Sequence, residues 1–431
     1  MTDTIFALSS GSPPAAIGVV RVSGPAASLA LCVLCGKVPP PRRASLQVLR
    51  DADGEELDKA LVLWFPGPRT ATGEDLAEFH CHGGRAVIAR IEQALARLPD
   101  TRKAVAGEFT RRAFANGVID LAEAEGLADL LAAETELQRR NALALAGGEL
   151  SRRIGQWRQR LLGASAAVEA ALDFSDEDDV GASTVDLVKD IAPLTAELDD
   201  WLARPRAEVL KEGYRVVLAG PPNSGKSTLF NALVESEAAI TAPIAGTTRD
   251  VLSRPVALFG IPFTFVDTAG LHEGGVDPVE AIGPVEAIGI ERARGELLVA
   301  DLVLWLGDEV DRPDRAWDIE ARIDCANRKP KQEPRHRLSA VTGDGLAALR
   351  NDLILTATSA MPAPGNVAIN ARQHRLLTEA RSMLAASIEV SDLLLVAEHL
   401  RVARAAFDSL IGRTTTEDML DTLFGNFCIG K

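Results

Sequence analysis

The run Gly220-Pro221-Pro222-Asn223-Ser224-Gly225-Lys226-Ser227 fits the phosphate-loop pattern G-x-x-x-x-G-K-[ST] at every fixed position. An apolar, strand-like stretch over 214–219 precedes it and a helix-like stretch over 228–234 follows, which is the setting the pattern needs. The glycines let the backbone curl, so that the N–H groups around Ser224, Gly225 and Thr228 and the start of the next helix face phosphate oxygens. Lys226 is placed to reach the outer phosphates, and Ser227 to offer its hydroxyl to Mg²⁺. A glycine-rich turn with no ligand is the bland alternative, and the flanking strand and helix argue against it.

Further parts of a Ras-like nucleotide domain follow in the required order. Gly246-Thr247-Thr248-Arg249-Asp250 offers threonine hydroxyls to Mg²⁺, with Thr248 standing 21 residues past Ser227. A strand over 262–266 then leads into Asp267-Thr268-Ala269-Gly270. There Asp267 would hold Mg²⁺ through water, and the Gly270 backbone would sense the terminal phosphate. The next residue is Leu271, which cannot orient a water molecule as the glutamine of Ras-like proteins does, so catalytic help has to come from elsewhere. Guanine recognition asks for Asn-Lys-x-Asp after a strand. Strands are predicted over 302–306 and about 319–326, and the residues that follow are Asn327-Arg328-Lys329-Pro330, with no carboxylate in the fourth place. Leu338-Ser339-Ala340 followed by Gly343 matches the last base-contacting loop and keeps guanine the favoured base.

Composition bounds the rest. A chain of 431 residues is long enough for roughly three domains. Its net charge of −15 supplies no global basic field toward DNA or an anionic membrane, so any tRNA contact needs a local patch. No apolar run reaches the roughly 18 residues that a membrane span needs, and the start has no signal-peptide pattern, so a cytoplasmic protein is expected. Five cysteines, at 32, 35, 81, 325 and 428, are few and odd in number, which points to reduced thiols. Cys32-x-x-Cys35 with His80-Cys81-His82 raises a metal reading, against which stands the reading of buried, apolar cysteines.

Residues 4–100 mix short strands, at 17–22 and 60–65, with a helix at 86–98 that Pro99 stops, giving a small α+β domain. Asp3-Thr4-Ile5, Ile17-Gly18-Val19-Val20-Arg21-Val22-Ser23-Gly24-Pro25, His82-Gly83-Gly84 and Gly107-Glu108-Phe109-Thr110-Arg111-Arg112-Ala113-Phe114-Ala115-Asn116-Gly117 resemble the start of the tRNA-modification GTPase family called MnmE or TrmE. The resemblance implies that residues 1–118 form a homodimer and bind a tetrahydrofolate derivative, 5-formyl or 5,10-methylene, with Arg21 and Glu78 near it. Val118 stands where the family carries a lysine.

The resemblance also implies a K⁺ ion that takes over charge neutralisation at the phosphates, held by Asn223 and by backbone of the loop with Ala242, Ile244 and Thr247, together with a catalytic glutamate. Pro278-Val279-Glu280-Ala281-Ile282-Gly283 is repeated as Pro284-Val285-Glu286-Ala287-Ile288-Gly289, so Glu280 and Glu286 are both candidates. Distance from Asp267 favours Glu280, and continuation into the following helix favours Glu286.

From Asp120 the chain turns helical. Asp120-x-x-Glu123 has the layout of a capping box, Gly147-Gly148 marks a bend, helices are expected over 157–172 and 185–202, and Arg204-Pro205-Arg206 closes the block. Helical patterns return over 372–387 and 391–411, with Thr414-x-x-Glu417 as another capping box. The expected architecture is multidomain α/β: residues 1–118, a helical domain from 119–211 and 366–431, and a Ras-like domain over 212–365 inserted in it. The ending Phe427-Cys428-Ile429-Gly430-Lys431 is the family's signature, and the resemblance implies Cys428 as a functional thiol. The implied function is GTP hydrolysis coupled to adding an aminomethyl-type group at C5 of wobble uridine 34 of certain tRNAs, with an FAD-dependent, MnmG/GidA-like partner. A GTP switch in ribosome assembly, or a family member acting only as a folate- and partner-binding scaffold, are the other readings.

Overall fold

The computed structural model describes residues 3–173, 184–235, 252–268, 295–307, 312–313, 316–325, 330–363, 366–414, 417–425 and 427–430. The first of two six-stranded sheets takes its strands from β1 (Thr4–Leu8), β2 (Ala15–Ser23), β3 (Ser45–Arg50), β4 (Glu56–Phe65), β5 (Leu76–Gly83) and β6 (Thr101–Lys103), in the order β3-β4-β5-β2-β1-β6. All its neighbours are antiparallel except β1 and β6. The two faces follow from strand alternation. Phe6, Val20, Val22, Val62, Phe79 and Cys81 are buried on one face, together with Leu31 of α1 (Ala27–Cys35) and Ile91 of α2 (Arg85–Ala96). The opposite face carries the rung Ala7–Arg21–Glu78–Leu63 and, on β5, His80. Helix α3 (Glu108–Ala115) lays Phe109 against Ile5 and Ala7 on that side.

The strands and helix expected from the sequence near 17–22, 60–65 and 86–98 are present as β2, β4 and α2. The capping box at Asp120 is present too. The Asp120 N–H donates to Glu123 at 2.8 Å and the Glu123 N–H to Asp120 at 2.9 Å, opening α4 (Leu121–Ala132). Helix α5 (Glu136–Ala146) ends at the predicted bend, where Gly148 has φ +74°, and α6 (Glu149–Asp173) follows.

After α7 (Thr184–Leu202) and α8 (Ala207–Glu212), the second sheet is built from β7 (Tyr214–Ala219), β8 (Leu252–Leu258), β9 (Ile261–Asp267), β10 (Leu302–Trp305), β11 (Ala316–Glu320) and β12 (His336–Arg337). Its order is β12-β11-β10-β7-β9-β8, with only the β8–β9 pair antiparallel, which is the order of the Ras-like domain expected from the motifs. Strands such as β7 are apolar almost throughout because α9 (Lys226–Val234) and α10 (Leu346–Ala360) share their core. One boundary differs from expectation. The strand predicted over 319–326 is β11 and ends at Glu320, six residues earlier, because the chain turns at Arg322, a non-glycine residue at φ +60°.

The remaining helices are α11 (Ala371–Glu389), α12 (Leu393–Leu410) and α13 (Glu417–Gly425). The box expected at Thr414-x-x-Glu417 is used differently: Thr414 shares a hydrogen bond with the Ser409 hydroxyl at 2.8 Å, and Glu417 pairs with Arg111. Contacts divide the chain into two compact units, one of residues 1–128, 145–188 and 386–431, the other of residues 129–144 and 189–385. In the first, Trp157 of α6 stacks on Phe407 of α12, ring centroids 6.0 Å apart, and Leu121 and Phe424 share a core. In the second, Leu137 of α5 and Leu210 of α8 join the core of the second sheet.

Candidate functional site

The loop between β7 and α9 is shaped by glycine where the chain demands it. Gly220 has φ +145°, and a Cβ there would stand 2.9 Å from the Gly307 nitrogen; Gly225, at φ +98°, starts α9. Lys226 is 4% exposed and donates to the carbonyls of Gly220 at 2.9 Å and Pro221 at 2.8 Å. Burial lowers its pKa below the usual lysine value, and the negative charge of Asp267 works the other way. Asp267 is fully buried at the end of β9. The Thr268 hydroxyl, a candidate ligand contact from the sequence, instead donates to the Leu218 carbonyl at 2.8 Å and braces the loop against β7.

A cavity of about 740 Å³ opens in front of the loop. Asn223, Gly225, Lys226, Ser227 and Thr228 line one side, while Ala321, Arg322, Asp324, Cys325 and Ala340 line the other. The Arg322 guanidinium donates to the Asn223 carbonyl at 2.8 Å, which ties the turn after β11 to the phosphate loop. Asp324 supplies a carboxylate at this wall, three residues ahead of the Asn327-Arg328-Lys329-Pro330 run that lacks one. The Ser339 hydroxyl accepts the N–H groups of Val341 at 3.2 Å and Thr342 at 3.1 Å. The Ser339 hydroxyl, ahead of the nearby Arg322 charge, holds the Asp324 carboxyl below its usual range and so keeps it anionic. The motif is Ala321-Arg322-Ile323-Asp324, a basic residue two before an aspartate immediately after a strand. Spacing from the strand's true end was the signal; the Asn327-Arg328 pair drew attention away from it. Asn327 itself, with Ala242, Ile244, Thr247, Thr248, Ala269, Gly270, Glu280 and Glu286, lies outside the described residues.

The second group of candidates gathers on the outer face of the first sheet. Arg21 donates twice to one oxygen of Glu78, at 3.0 and 2.8 Å, and His80 sits 3.2 Å from the other. The Arg21 guanidinium also lies over the Phe109 ring, 5.8 Å from its centroid. Beside them, buried Arg112 meets Asp3, Glu74 and Glu108 at 3.0 to 3.2 Å. Burial would raise Glu108, but hydrogen bonds from Arg102 and the Val105 N–H bring its pKa below the usual value. The chain's end comes to the same sheet: Ile429 forms an isolated antiparallel bridge with Ala106, and Cys428 is exposed next to it. Val118 is 41% exposed, close to Gly73.

The other cysteines are unlike one another. Cys81 is buried and donates to the Gly18 carbonyl, Cys35 is half-buried, and burial pushes both up to about 11, whereas Cys32 is exposed. Among the described residues no group of three metal-binding side chains is placed to hold a metal, and no helix is long and apolar enough to cross a membrane.

Sheet order, phosphate loop and groove together define a phosphate-loop nucleotide-binding protein of the Ras-like class. Comparison with known families narrows this. Residues 4–118 match the GTP-binding protein TrmE N-terminus, and residues 121–428 match the MnmE helical domain. The chain is 62% identical over 429 residues to the tRNA modification GTPase MnmE of Erythrobacter litoralis, with all of both chains covered. It is 60% identical to that of Novosphingobium aromaticivorans, again over all of both chains, and 55% identical to that of Rhizorhabdus wittichii, over 100% of this chain and 97% of the relative. The chain belongs to the MnmE family.

Proposed function

We propose that this chain hydrolyses GTP and couples hydrolysis to tRNA modification: addition of an aminomethyl-type group at C5 of wobble uridine 34, together with an FAD-dependent, MnmG/GidA-like partner. The observation that carries the nucleotide part is the groove with Lys226 on one wall and Asp324 on the other. Guanine presents its ring N1–H and 2-amino group on one edge, and an anionic carboxylate accepts both. Adenine has no such pair of donors. Arg322 ties the turn that carries Asp324 to the phosphate loop.

Hydroxyl and carboxylate oxygens are the donors that suit Mg²⁺, and Ser227 with Asp267 supplies one of each. Mg²⁺ would neutralise charge on the phosphates when bound. Lys226 adds a fixed positive charge at the outer phosphates. With Leu271 in place of a water-orienting glutamine, Glu280 or Glu286 would position the attacking water, and K⁺ would sit at Asn223 with backbone of Ala242, Ile244 and Thr247.

The outer face of the first sheet suits a tetrahydrofolate derivative, because it offers an aromatic ring, Phe109, beside a paired arginine and glutamate. Arg21 and Glu78 would hold the folate, and Cys428 would work beside it as a thiol. In this reading residues 1–118 also form the homodimer, and residues 212–365 are inserted between the two parts of the helical domain. The scaffold reading rests on Val118, on the run 327–330 without a base-reading carboxylate and on the duplicated segment 278–289, and Asp324 in the groove favours the hydrolase reading over it on the second of these.

The test is Asp324→Asn. An amide exchanges one acceptor for a donor, so it suits xanthine, which carries a carbonyl where guanine carries its amino group. The variant should lose GTP affinity by about 100-fold, equivalent to about 3 kcal/mol for a charged hydrogen-bonding contact. It should gain binding of xanthosine triphosphate, measured by nucleotide titration. Unchanged GTP affinity would remove Asp324 from the base site.

A further inference from the structure

The last residues of the chain are held through backbone, and glycine makes the hold possible. Phe427 is 6% exposed and anchors the tail against Phe424, ring centroids 6.1 Å apart. The Gly107 N–H donates to the Cys428 carbonyl at 3.4 Å, and Ile429 bridges Ala106. Gly430, at φ +94°, then lies on the end of β1, where a Cβ would stand 2.2 Å from the Leu8 carbonyl oxygen. Gly107 sits in the facing segment at φ +66°, and a Cβ there would stand 2.2 Å from the Phe424 carbonyl oxygen. Both obstacles are backbone, which cannot swing aside as a side chain does, and both positions lie in the region that L side chains avoid.

We propose that Gly430 is a positioning residue: it clips the tail to the end of β1 and so fixes Cys428 beside Gly107. Phe427 secures the tail on one side of Cys428, and the Ile429–Ala106 bridge, closed off by Gly430 against Leu8, secures it on the other. A residue held on one side swings, whereas one held on both sides stays in place. Leu8 pairs with Val20 and Ala7 with Arg21, so the clip fastens to the strand that borders the arginine. This rests on the reading of Cys428 as the working thiol, and the experiment separates the two.

Cys428 permits the test by ligation. Residues 1–427, prepared as a thioester, are joined to a four-residue peptide that carries glycine, L-alanine or D-alanine in its third place. The full chain is rebuilt with only the α-carbon of residue 430 changed. D-Alanine favours positive φ and puts its methyl group on the other side of the α-carbon. Hydrogen exchange, followed over 104–109 and over the tail, should be about tenfold faster with L-alanine, the scale of a local opening, and should return to the glycine rate with D-alanine. The thermal midpoint should be the same in all three. Equal exchange for glycine and L-alanine would overturn the clip. In the same three proteins tRNA modification should fall with L-alanine and recover with D-alanine. If exchange follows the prediction while modification does not change, the clip stands and the role of Cys428 falls.

Discussion

At the residue scale the account turns on two side chains at opposite walls of one groove. Lys226 is buried and its pKa is lowered by that burial, against the pull of Asp267. A lysine depressed in the folded state holds protons less readily than in the unfolded chain. Its penalty therefore acts below the folded pKa and is relieved as pH rises from there toward its ordinary value of 10.5. Phosphate favours the charged form and reverses this. Lys226→Ala should weaken nucleotide binding by about 100-fold or more, from charged hydrogen bonds of about 1.5–3 kcal/mol each, while leaving the thermal midpoint of the nucleotide-free protein unlowered. A calorimetric titration and a melting curve read the two arms. A variant that binds GTP normally would contradict the assignment. Lys226 was legible because eight consecutive residues carry the motif. Asp324 was not, because its meaning depends on where β11 stops, and that is set by a positive φ at Arg322 which composition does not announce.

At the scale of elements, polar caps and ion pairs fix where helices begin. Asp120 and Glu123 close a reciprocal box that the sequence displays openly. Two more boxes, Thr135 with Gln138 and Asn370 with Gln373, have the same logic with glutamine as the returning partner, and their spacing was equally available. Helix α3 is held differently, by Glu108 under Arg102 and Arg112. Glu108 has a folded pKa below its ordinary 4.5, so its stabilisation is complete above that value and is lost as pH falls through the depressed pKa. Glu108→Gln should lower the thermal midpoint at neutral pH and flatten its decline between about pH 5 and about pH 3. Melting curves across that range check it, and an acid limb as steep as in the parent would contradict the ion-pair account.

At the scale of the whole molecule, the chain builds two sheets with different tasks. The second follows a motif order that can be read residue by residue, and its strand order agrees with that reading. The first was visible as strands, a helix and turns. Arg21 and Glu78 were grouped by the family resemblance, but that the tail around Cys428 returns to the segment after β6 was not visible, because a bridge between Ala106 and Ile429 joins positions far apart in the chain and leaves no local pattern. The central claim is that the second sheet carries a guanine-selective hydrolase whose missing glutamine is made good by K⁺. The most direct measurement is the rate of GTP hydrolysis by the purified protein in KCl and in NaCl, with ATP as a competitor. The account predicts faster hydrolysis in KCl that excess ATP does not suppress. Equal rates in the two salts, or suppression by ATP, would contradict it.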